Sequence, residues 1–118
     1  MSIFTKKPHI THNFSILKTD LHSHIIPGLD DGSPTLEESL KMLKSFSALG
    51  YKKIITTPHV TNDYYPNTKE RILGQMYNLQ DAIEENKIDI ELIASAEYRL
   101  EPAFKQKLKE GELIPFGN

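Results

Sequence analysis

The sequence contains no cysteine, which rules out disulfide bonds, thiolate metal ligands and phosphate ester hydrolysis through a cysteine nucleophile. It contains no block of basic residues, and its formal net charge is −2, so a nucleic-acid surface is not indicated. No window approaches the ~18 apolar residues of a membrane span. Residues 1–8 lack the apolar core of a signal peptide. A cytoplasmic protein without a membrane span is therefore expected.

The composition fits one globular domain with a modest core, because 38% of the 118 residues are hydrophobic and 25% are charged. Residues 1–17 are interpreted as a leader of uncertain order, and residues 18–118 as the domain. His9 and His12 lie in the leader beside Pro8, which disfavours a helix. Both histidines are interpreted as surface residues.

Strand and helix patterns alternate three times along the domain. Strands are predicted over residues 15–24, 51–57 and 88–96. The first helix is predicted to begin with Ser33 as its N-cap and to end at Gly50, and the second to begin with Asn67 as its cap. A third, short helix is predicted over Pro102–Lys109. This β-α order predicts an α/β fold with a parallel sheet, either a barrel segment or an open doubly wound sheet.

The stretch over residues 19–32 carries the first candidate metal ligands. His22 and His24 alternate along the predicted strand, so their imidazoles lie on one face about 7 Å apart and can converge on one metal. The turn that ends at Gly32 brings Asp30 or Asp31 back toward them. Two polar residues on a solvated strand face are the alternative. Asp20, on the same face, either orients a ligand or is an ordinary buried carboxylate.

Two later residues follow predicted strands in the same way. His59 comes just after residues 51–57 and Pro58, and Glu97 follows residues 88–96. Because the carboxyl ends of parallel strands share one rim, both are expected near His22 and His24. Singly, His59 could cap a strand and Glu97 could be an exposed charge. Together, imidazole and carboxylate ligands suit Mn, Fe or Zn rather than Ca, and would hold a metal-bound hydroxide for hydrolysis.

Four motifs resemble one known family. They are Asp20-Leu21-His22-Ser23-His24, Ile26-Pro27-Gly28-Leu29-Asp30-Asp31-Gly32, Thr57-Pro58-His59 and Ala96-Glu97-Tyr98. In order and spacing over residues 18–118 they resemble the PHP (polymerase and histidinol phosphatase) superfamily. Within it, they are most similar to the tyrosine phosphatases of bacterial capsular and exopolysaccharide loci. The resemblance implies the N-terminal (β/α)3 portion of a distorted, TIM-like (β/α)7 barrel.

The resemblance also implies an activity and a ligand set. It implies a manganese-dependent centre of two or three ions, and removal of phosphate from phosphotyrosine on a bacterial tyrosine kinase that controls polysaccharide synthesis. His22 and His24 would hold one metal, and Glu97 would bridge two. Asp31 and His59 would hold a third, with Asp31 preferred because it directly precedes Gly32, as the ligand does in the family.

The chain also departs from the family pattern. Family members are longer, and their second halves supply further ligands and the arginines expected to bind phosphate. Arg71 and Arg99 are the only arginines here, and neither is assigned to the rim. No catalytic side chain is therefore assigned, and self-association through an open sheet edge is expected. The alternatives are another PHP phosphoesterase, such as a histidinol-phosphate type, and a non-catalytic fragment that binds metal or the kinase tail.

Overall fold

A computed structural model describes residues 16–117, along which three helices and five short strands follow one another. Residues 1–15, with His9 and His12, and Asn118 lie outside the described part, so the leader over residues 1–17 stays a prediction. The elements in chain order are β1 (Thr19–Asp20), α1 (Leu36–Ala48), β2 (Lys53–Thr56), β3 (His59–Val60), α2 (Lys69–Glu85), β4 (Glu91–Ala94), β5 (Glu97–Tyr98) and α3 (Pro102–Lys109).

The strands form two parallel sheets. The larger sheet has the order β1-β2-β4. Along the chain, α1 lies between β1 and β2, and α2 precedes β4. The smaller pairs β3 with β5, which continue the chain beyond the carboxyl ends of β2 and β4. The predicted β-α alternation and parallel pairing are confirmed. The smaller sheet was not predicted, since neither two-residue strand has a pattern long enough to recognise.

The apolar core lies between the larger sheet and helices α1 and α2. Ile54 and Leu92 are register partners on neighbouring strands, and both are buried. Leu43 of α1 and Ile72 and Leu79 of α2 belong to the same cluster. Burial of each such side chain stabilises the fold by about 1.5–3 kcal/mol. The core therefore fixes the carboxyl ends of the strands, where the candidate ligands lie.

The first strand is much shorter than predicted, because β1 ends at Asp20 rather than at His24. Beyond Asp20, hydrogen bonds from two threonines replace the regular ladder of backbone bonds between the strands. The Thr56 hydroxyl accepts from the backbone amide of Ile25 and donates to the carbonyl of Ser23, and the amide of Thr57 donates to the same carbonyl at 2.6 Å. His22 and His24 thus lie on an extended segment tied to β2 by threonines. The other two predicted strands are also shorter, at Lys53–Thr56 and Glu91–Ala94.

Both predicted helix caps were wrong by one or two residues. Thr35, not Ser33, caps α1 by accepting from the amide of Glu38, and Thr68, not Asn67, caps α2 by accepting from the amide of Arg71. Ser33 and Asn67 are instead buried. Each uses its side chain in a tertiary hydrogen bond, which outweighs the local capping preference.

The remaining helix boundaries agree with the sequence. Gly50 follows α1 with a φ of 95°, a left-handed conformation that favours glycine after a helix. The third helix spans Pro102–Lys109 as predicted, with Pro102 in its first turn. After it, Ile114 is buried against the domain. No helix of residues 16–117 has both the length and the apolar character needed to cross a membrane.

Candidate metal centre

One carboxylate oxygen of Glu97 lies among three imidazoles. Glu97 Oε2 is 3.3 Å from His24 Nε2 and 3.6 Å from both His22 Nε2 and His59 Nε2. The Nε2 atoms of His22 and His24 are 3.3 Å apart. Ligand atoms about 2.1 Å from a tetrahedral ion are separated by about 3.4 Å, so the group His22, His24 and Glu97 has the spacing of one face of a metal site.

Thr57 orients the imidazole of His22. Its hydroxyl oxygen lies 2.9 Å from His22 Nδ1, and its backbone amide holds the carbonyl of Ser23. With Nδ1 engaged, Nε2 is the ring nitrogen directed at Glu97. A hydrogen bond to the nitrogen remote from the metal is the usual way to fix the orientation of a ligating histidine.

Asp30 plays the same part for His24. The side chain of Asp30 is only 1% exposed, and its Oδ2 lies 2.7 Å from His24 Nδ1. Asp30 also accepts hydrogen bonds from the backbone amides of Gly32 and His59. Burial opposes ionisation of this carboxyl group, but these hydrogen bonds outweigh burial and lower its pKa. Asp30 is therefore a buried carboxylate whose bonds direct His24 Nε2 toward Glu97.

The smaller sheet brings His59 to the same place. His59 and Glu97 are register partners in the β3–β5 ladder. The His59 and His24 rings stack with centroids 4.5 Å apart. His59 Nδ1 faces the turn that carries Asp30 and Asp31, called here the acidic turn. His24, Asp30 and His59 form a second group with the spacing of metal ligands. All five predicted positions, with Asp30 beside Asp31, thus lie at one rim.

Both aspartates of the turn lie near His59. Its Nδ1 atom is 3.2 Å from Asp30 Oδ2 and 3.4 Å from Asp31 Oδ1. They differ in exposure and in partners, because Asp31 is 68% exposed whereas Asp30 is buried and bonded to two backbone amides. Asp31 as the ligand stays a prediction, and these contacts favour an orienting role for Asp30.

Asn67 joins the two segments that carry these ligands. Its side-chain amide donates to the carbonyl of Leu29 at 2.8 Å and to that of His59 at 2.9 Å. It therefore links the acidic turn to β3. Neither this role nor that of Thr57, which lies within the Thr57-Pro58-His59 motif, was predicted from the sequence. No local pattern distinguishes an asparagine that bridges two carbonyls from one that caps a helix.

Gly32 allows the acidic turn to lie directly against His24. A Cβ atom at this position would be 2.3 Å from the His24 carbonyl oxygen and 2.4 Å from its Cβ atom. The amide of Ser33 donates to that same carbonyl, and the Ser33 hydroxyl bonds to Ser39, which in turn donates to the carbonyl of Ile25. These contacts hold the backbone of the His24 segment from both sides.

The remaining charged residues near the site have other roles. One carboxylate oxygen of Asp20 is buried without a hydrogen-bond partner among the described residues, and burial raises the pKa of this group. The contacts that orient His22 and His24 come from Thr57 and Asp30 instead. Arg99 does not bond to Glu97; its guanidinium lies 2.9 Å from Asp63 Oδ2. Arg71 lies exposed on α2.

Residues 18–118 match the model of the family described as capsular polysaccharide synthesis, CpsB/CapC. The tyrosine-protein phosphatase YwqE of Bacillus subtilis is 27% identical over 95 residues, which cover 80% of this chain and 37% of YwqE. The tyrosine-protein phosphatase CpsB of Streptococcus pneumoniae is 29% identical over 93 residues, covering 77% of this chain and 38% of CpsB. The chain spans about two fifths of the length of these relatives.

A solved structure from the study of YwqE and CpsB, described as metal-dependent tyrosine phosphatases, superposes on this fold. The TM-score is 0.76 at 26% identity, with 83% of this chain and 40% of the solved chain covered. The mixed α/β fold is therefore that of these phosphatases over the shared region. With the match over residues 18–118, the chain belongs to the CpsB/CapC family of capsular polysaccharide synthesis.

Proposed function

We propose that this chain carries part of the metal centre of a phosphotyrosine phosphatase. The observation that supports the proposal most strongly is the position of Glu97 Oε2, within 3.3–3.6 Å of the Nε2 atoms of three histidines. Such a cluster of imidazoles around one carboxylate suits a transition metal. The names of the relatives, which are tyrosine-protein phosphatases, support the reaction class.

The proposed ligands are shared among two or three ions. His22 and His24 would hold one ion, Glu97 would bridge two, and Asp31 and His59 would hold a third. Manganese is proposed, with iron or zinc as the alternatives that the same donor set suits. When bound, such ions lower the pKa of a water and offset the charge of a phosphate group. Asp30 and Thr57 keep the imidazoles of His24 and His22 in the orientation that this arrangement needs.

The fold is proposed to be the N-terminal (β/α)3 portion of a (β/α)7 PHP barrel. The support is that β1, β2 and β4 are parallel and neighbour one another in chain order, as consecutive strands of a barrel do. The proposed ligands follow the carboxyl ends of these strands, which is where barrel enzymes carry their chemistry.

The proposed substrate is phosphotyrosine in the tail of a bacterial tyrosine kinase that controls polysaccharide synthesis, and a cytoplasmic location is proposed for the chain itself. The family description, capsular polysaccharide synthesis, supports the setting, and the named relatives support the phosphorylated residue. A phosphatase of the histidinol-phosphate type would share the metal centre but differ in the group attached to phosphorus. A substrate comparison therefore separates the two.

The test is phosphate release by the purified 118-residue chain with excess Mn²⁺. Phosphotyrosine peptide, phosphoserine peptide and histidinol phosphate are compared, with a His22→Ala/His24→Ala variant as the inactive control. Release from phosphotyrosine peptide that the double substitution removes is the expected result. Equal release by the variant would contradict catalysis by the ligands of this chain alone, and preference for histidinol phosphate would contradict the proposed substrate.

Self-association is proposed for the edge of the larger sheet. β4 pairs with β2 on one side and, within residues 16–117, has no strand on its other side. Unpaired edge strands favour pairing with a further strand. Sedimentation velocity over a range of protein concentrations should show a dimer or larger species, and a monomer throughout would contradict the proposal.

A further inference from the structure

We infer that the cleft beside the metal centre binds the aromatic ring of an aryl phosphate ester and so selects aryl over alkyl substrates. This inference rests on the proposed function and extends it to the group attached to phosphorus. The cleft, called here the tyrosine cleft, is lined by Tyr64, Tyr65 and Tyr98 together with His59 and Glu97. Its wall is thus shared between aromatic side chains and two proposed metal-binding residues.

The size of the tyrosine cleft fits one ring. Its volume is about 360 Å³, near the lower end of the range for small-molecule sites, roughly 300–1,000 Å³. The cleft is therefore large enough to admit a phenyl ring. Since His59 and Glu97 line the same cleft, a phosphate at the metal centre would have its ester substituent beside the tyrosines.

Tyr65 provides a fixed aromatic surface next to the metal centre. Its ring centroid is 5.5 Å from that of His59, with the planes inclined by 37°. Its backbone is held by Thr61, whose hydroxyl accepts from the Tyr65 amide and whose own amide donates to the Tyr65 carbonyl, both at 2.9 Å. A backbone already held in place favours binding to the ring that it carries, because less conformational freedom remains to be lost.

The loop that bears Tyr64 and Tyr65 is fastened to the opposite wall. Arg99, which follows Tyr98, donates to Asp63 at 2.9 Å, and the amide of Asn62 donates to Glu101 at 2.7 Å. The amide of Tyr64 and the Arg99 guanidinium lower the pKa of Asp63 to about 2, so Asp63 is ionised throughout the neutral range. Arg99 is therefore a positioning residue that keeps the two walls together.

The same contact excludes a different interpretation of Arg99. A free guanidinium at the mouth of the cleft would suit a phosphate group. Here Arg99 lies 2.9 Å from the carboxylate of Asp63 and 3.8 Å from that of Glu101. Two anionic neighbours make the position a poor phosphate site. The phosphate is therefore assigned to the metal centre, and the tyrosine cleft to the aryl group.

The test compares two non-hydrolysable probes, phenylphosphonate and methylphosphonate. They carry a phenyl ring and a methyl group on phosphorus and are otherwise identical. Their affinities for the 118-residue chain in saturating Mn²⁺ are measured by titration calorimetry. The wild-type chain should bind phenylphosphonate about tenfold more tightly or better, because burial of a ring contributes more than about 1.4 kcal/mol. Tyr65→Leu should reduce that preference by about 2- to 10-fold, the range of aromatic pair energies.

Three variants serve as controls. Tyr65→Phe keeps the ring and should keep the preference, whereas Tyr77→Leu alters an exposed tyrosine of α2 outside the cleft and should change nothing. Arg99→Gln should weaken the binding of phenylphosphonate but not that of methylphosphonate or Mn²⁺, since it loosens only the wall of the tyrosine cleft. These comparisons separate loss of the ring contact from loss of the fold.

The outcomes distinguish the two levels of the proposal. If the wild-type chain binds Mn²⁺ and binds both phosphonates equally, the aryl selectivity is overturned while the metal centre stands. If Tyr65→Leu and Tyr77→Leu behave alike, the role of the tyrosine cleft is overturned as well. Failure of the wild-type chain to bind Mn²⁺ would contradict the metal centre, and with it the inference that depends on it.

Discussion

His59 and Glu97 are register partners in the parallel ladder of β3 and β5, and their side chains meet with His59 Nε2 3.6 Å from Glu97 Oε2. Each strand of this ladder has only two residues. Its place in the fold matters because β3 and β5 continue the chain from β2 and β4, whose own pairing is fixed by the apolar core. Core packing thus sets the distance between two proposed metal-binding residues.

The first prediction concerns the close approach at Gly32. Gly32→Ala should lower the free energy of unfolding by about 1–3 kcal/mol, the usual range for overpacking, because its Cβ would meet the carbonyl oxygen and the Cβ atom of His24. The substitution should also weaken Mn²⁺ binding, since His24 is proposed to hold a metal. Urea unfolding and metal titration measure the two effects.

Gly74→Ala is the matched control for Gly32→Ala. Gly74 lies within α2, and a Cβ atom there would have no heavy atom within 4 Å. Alanine is the better helix former, so this variant should be more stable by about 0.5–1 kcal/mol. Equal stability losses in the two variants would show that the turn does not depend on a missing Cβ at position 32.

The second prediction concerns the bridge made by Asn67. Asn67→Asp removes the amide that donates to the carbonyls of Leu29 and His59 and sets a carboxylate against them. Buried groups left without partners cost about 1–3 kcal/mol each. The variant should therefore unfold at lower urea and bind Mn²⁺ less tightly. Asn78→Asp makes the same change at an exposed position of α2 and should alter neither quantity by much.

The third prediction separates the two aspartates of the acidic turn. Asp31→Asn should reduce Mn²⁺ binding with little change in stability, because Asp31 is exposed and is the proposed ligand. Asp30→Asn should reduce both, because Asp30 is buried and bonded to His24 and to two backbone amides. Loss of such an orienting group typically lowers metal affinity 10- to 100-fold.

The control for these variants is the same Asp→Asn change at a position far from the rim. Asp89→Asn removes a carboxylate that pairs with Lys52 on the opposite side of the fold from the rim, and it should leave Mn²⁺ affinity unchanged. The result that would reverse the assignment is a loss of metal binding in Asp30→Asn with full binding in Asp31→Asn and unchanged stability in both.

The fourth prediction concerns the segment after α3. The amide of Ile114 donates to the Tyr98 hydroxyl at 2.8 Å, and Ser95 donates to the Ile114 carbonyl. Tyr98→Phe should lower the free energy of unfolding by about 1–3 kcal/mol because that amide loses its partner. Tyr77→Phe removes an exposed hydroxyl and should have little effect. A Tyr98→Phe variant as stable as wild type would show that solvent replaces the hydrogen bond.

The sequence predicted the order of elements and the rim of the sheet well. Apolar periodicity and helix-ending signals such as Gly50 act over a few residues, so they are visible in one sequence. His22, His24, His59 and Glu97 could be brought together because residues that follow parallel strands must share an edge. That inference needed only the order of strands and not their exact ends.

What the sequence could not show depends on contacts between distant residues. Ser33 and Asn67 fit the local preferences of helix caps, yet the fold uses them for tertiary hydrogen bonds to Ser39 and to two carbonyls. Thr56 of β2 and Thr57 just after it bond to the segment that bears His22, where the first strand was predicted to continue. A side chain that bonds to a tertiary partner instead of a local one leaves no periodic pattern in the sequence.

The most direct test of the metal centre measures Mn²⁺ binding by the Glu97→Gln variant. Electron paramagnetic resonance detects the ion that stays free. Glu91→Gln, on β4 away from the histidines, is the control. The wild-type chain and Glu91→Gln should bind Mn²⁺ equally, and Glu97→Gln should bind at least about tenfold more weakly, because the proposed bridging carboxylate loses its charge and one oxygen. Equal binding by all three proteins would contradict the proposal that the ions lie between Glu97 and the three histidines.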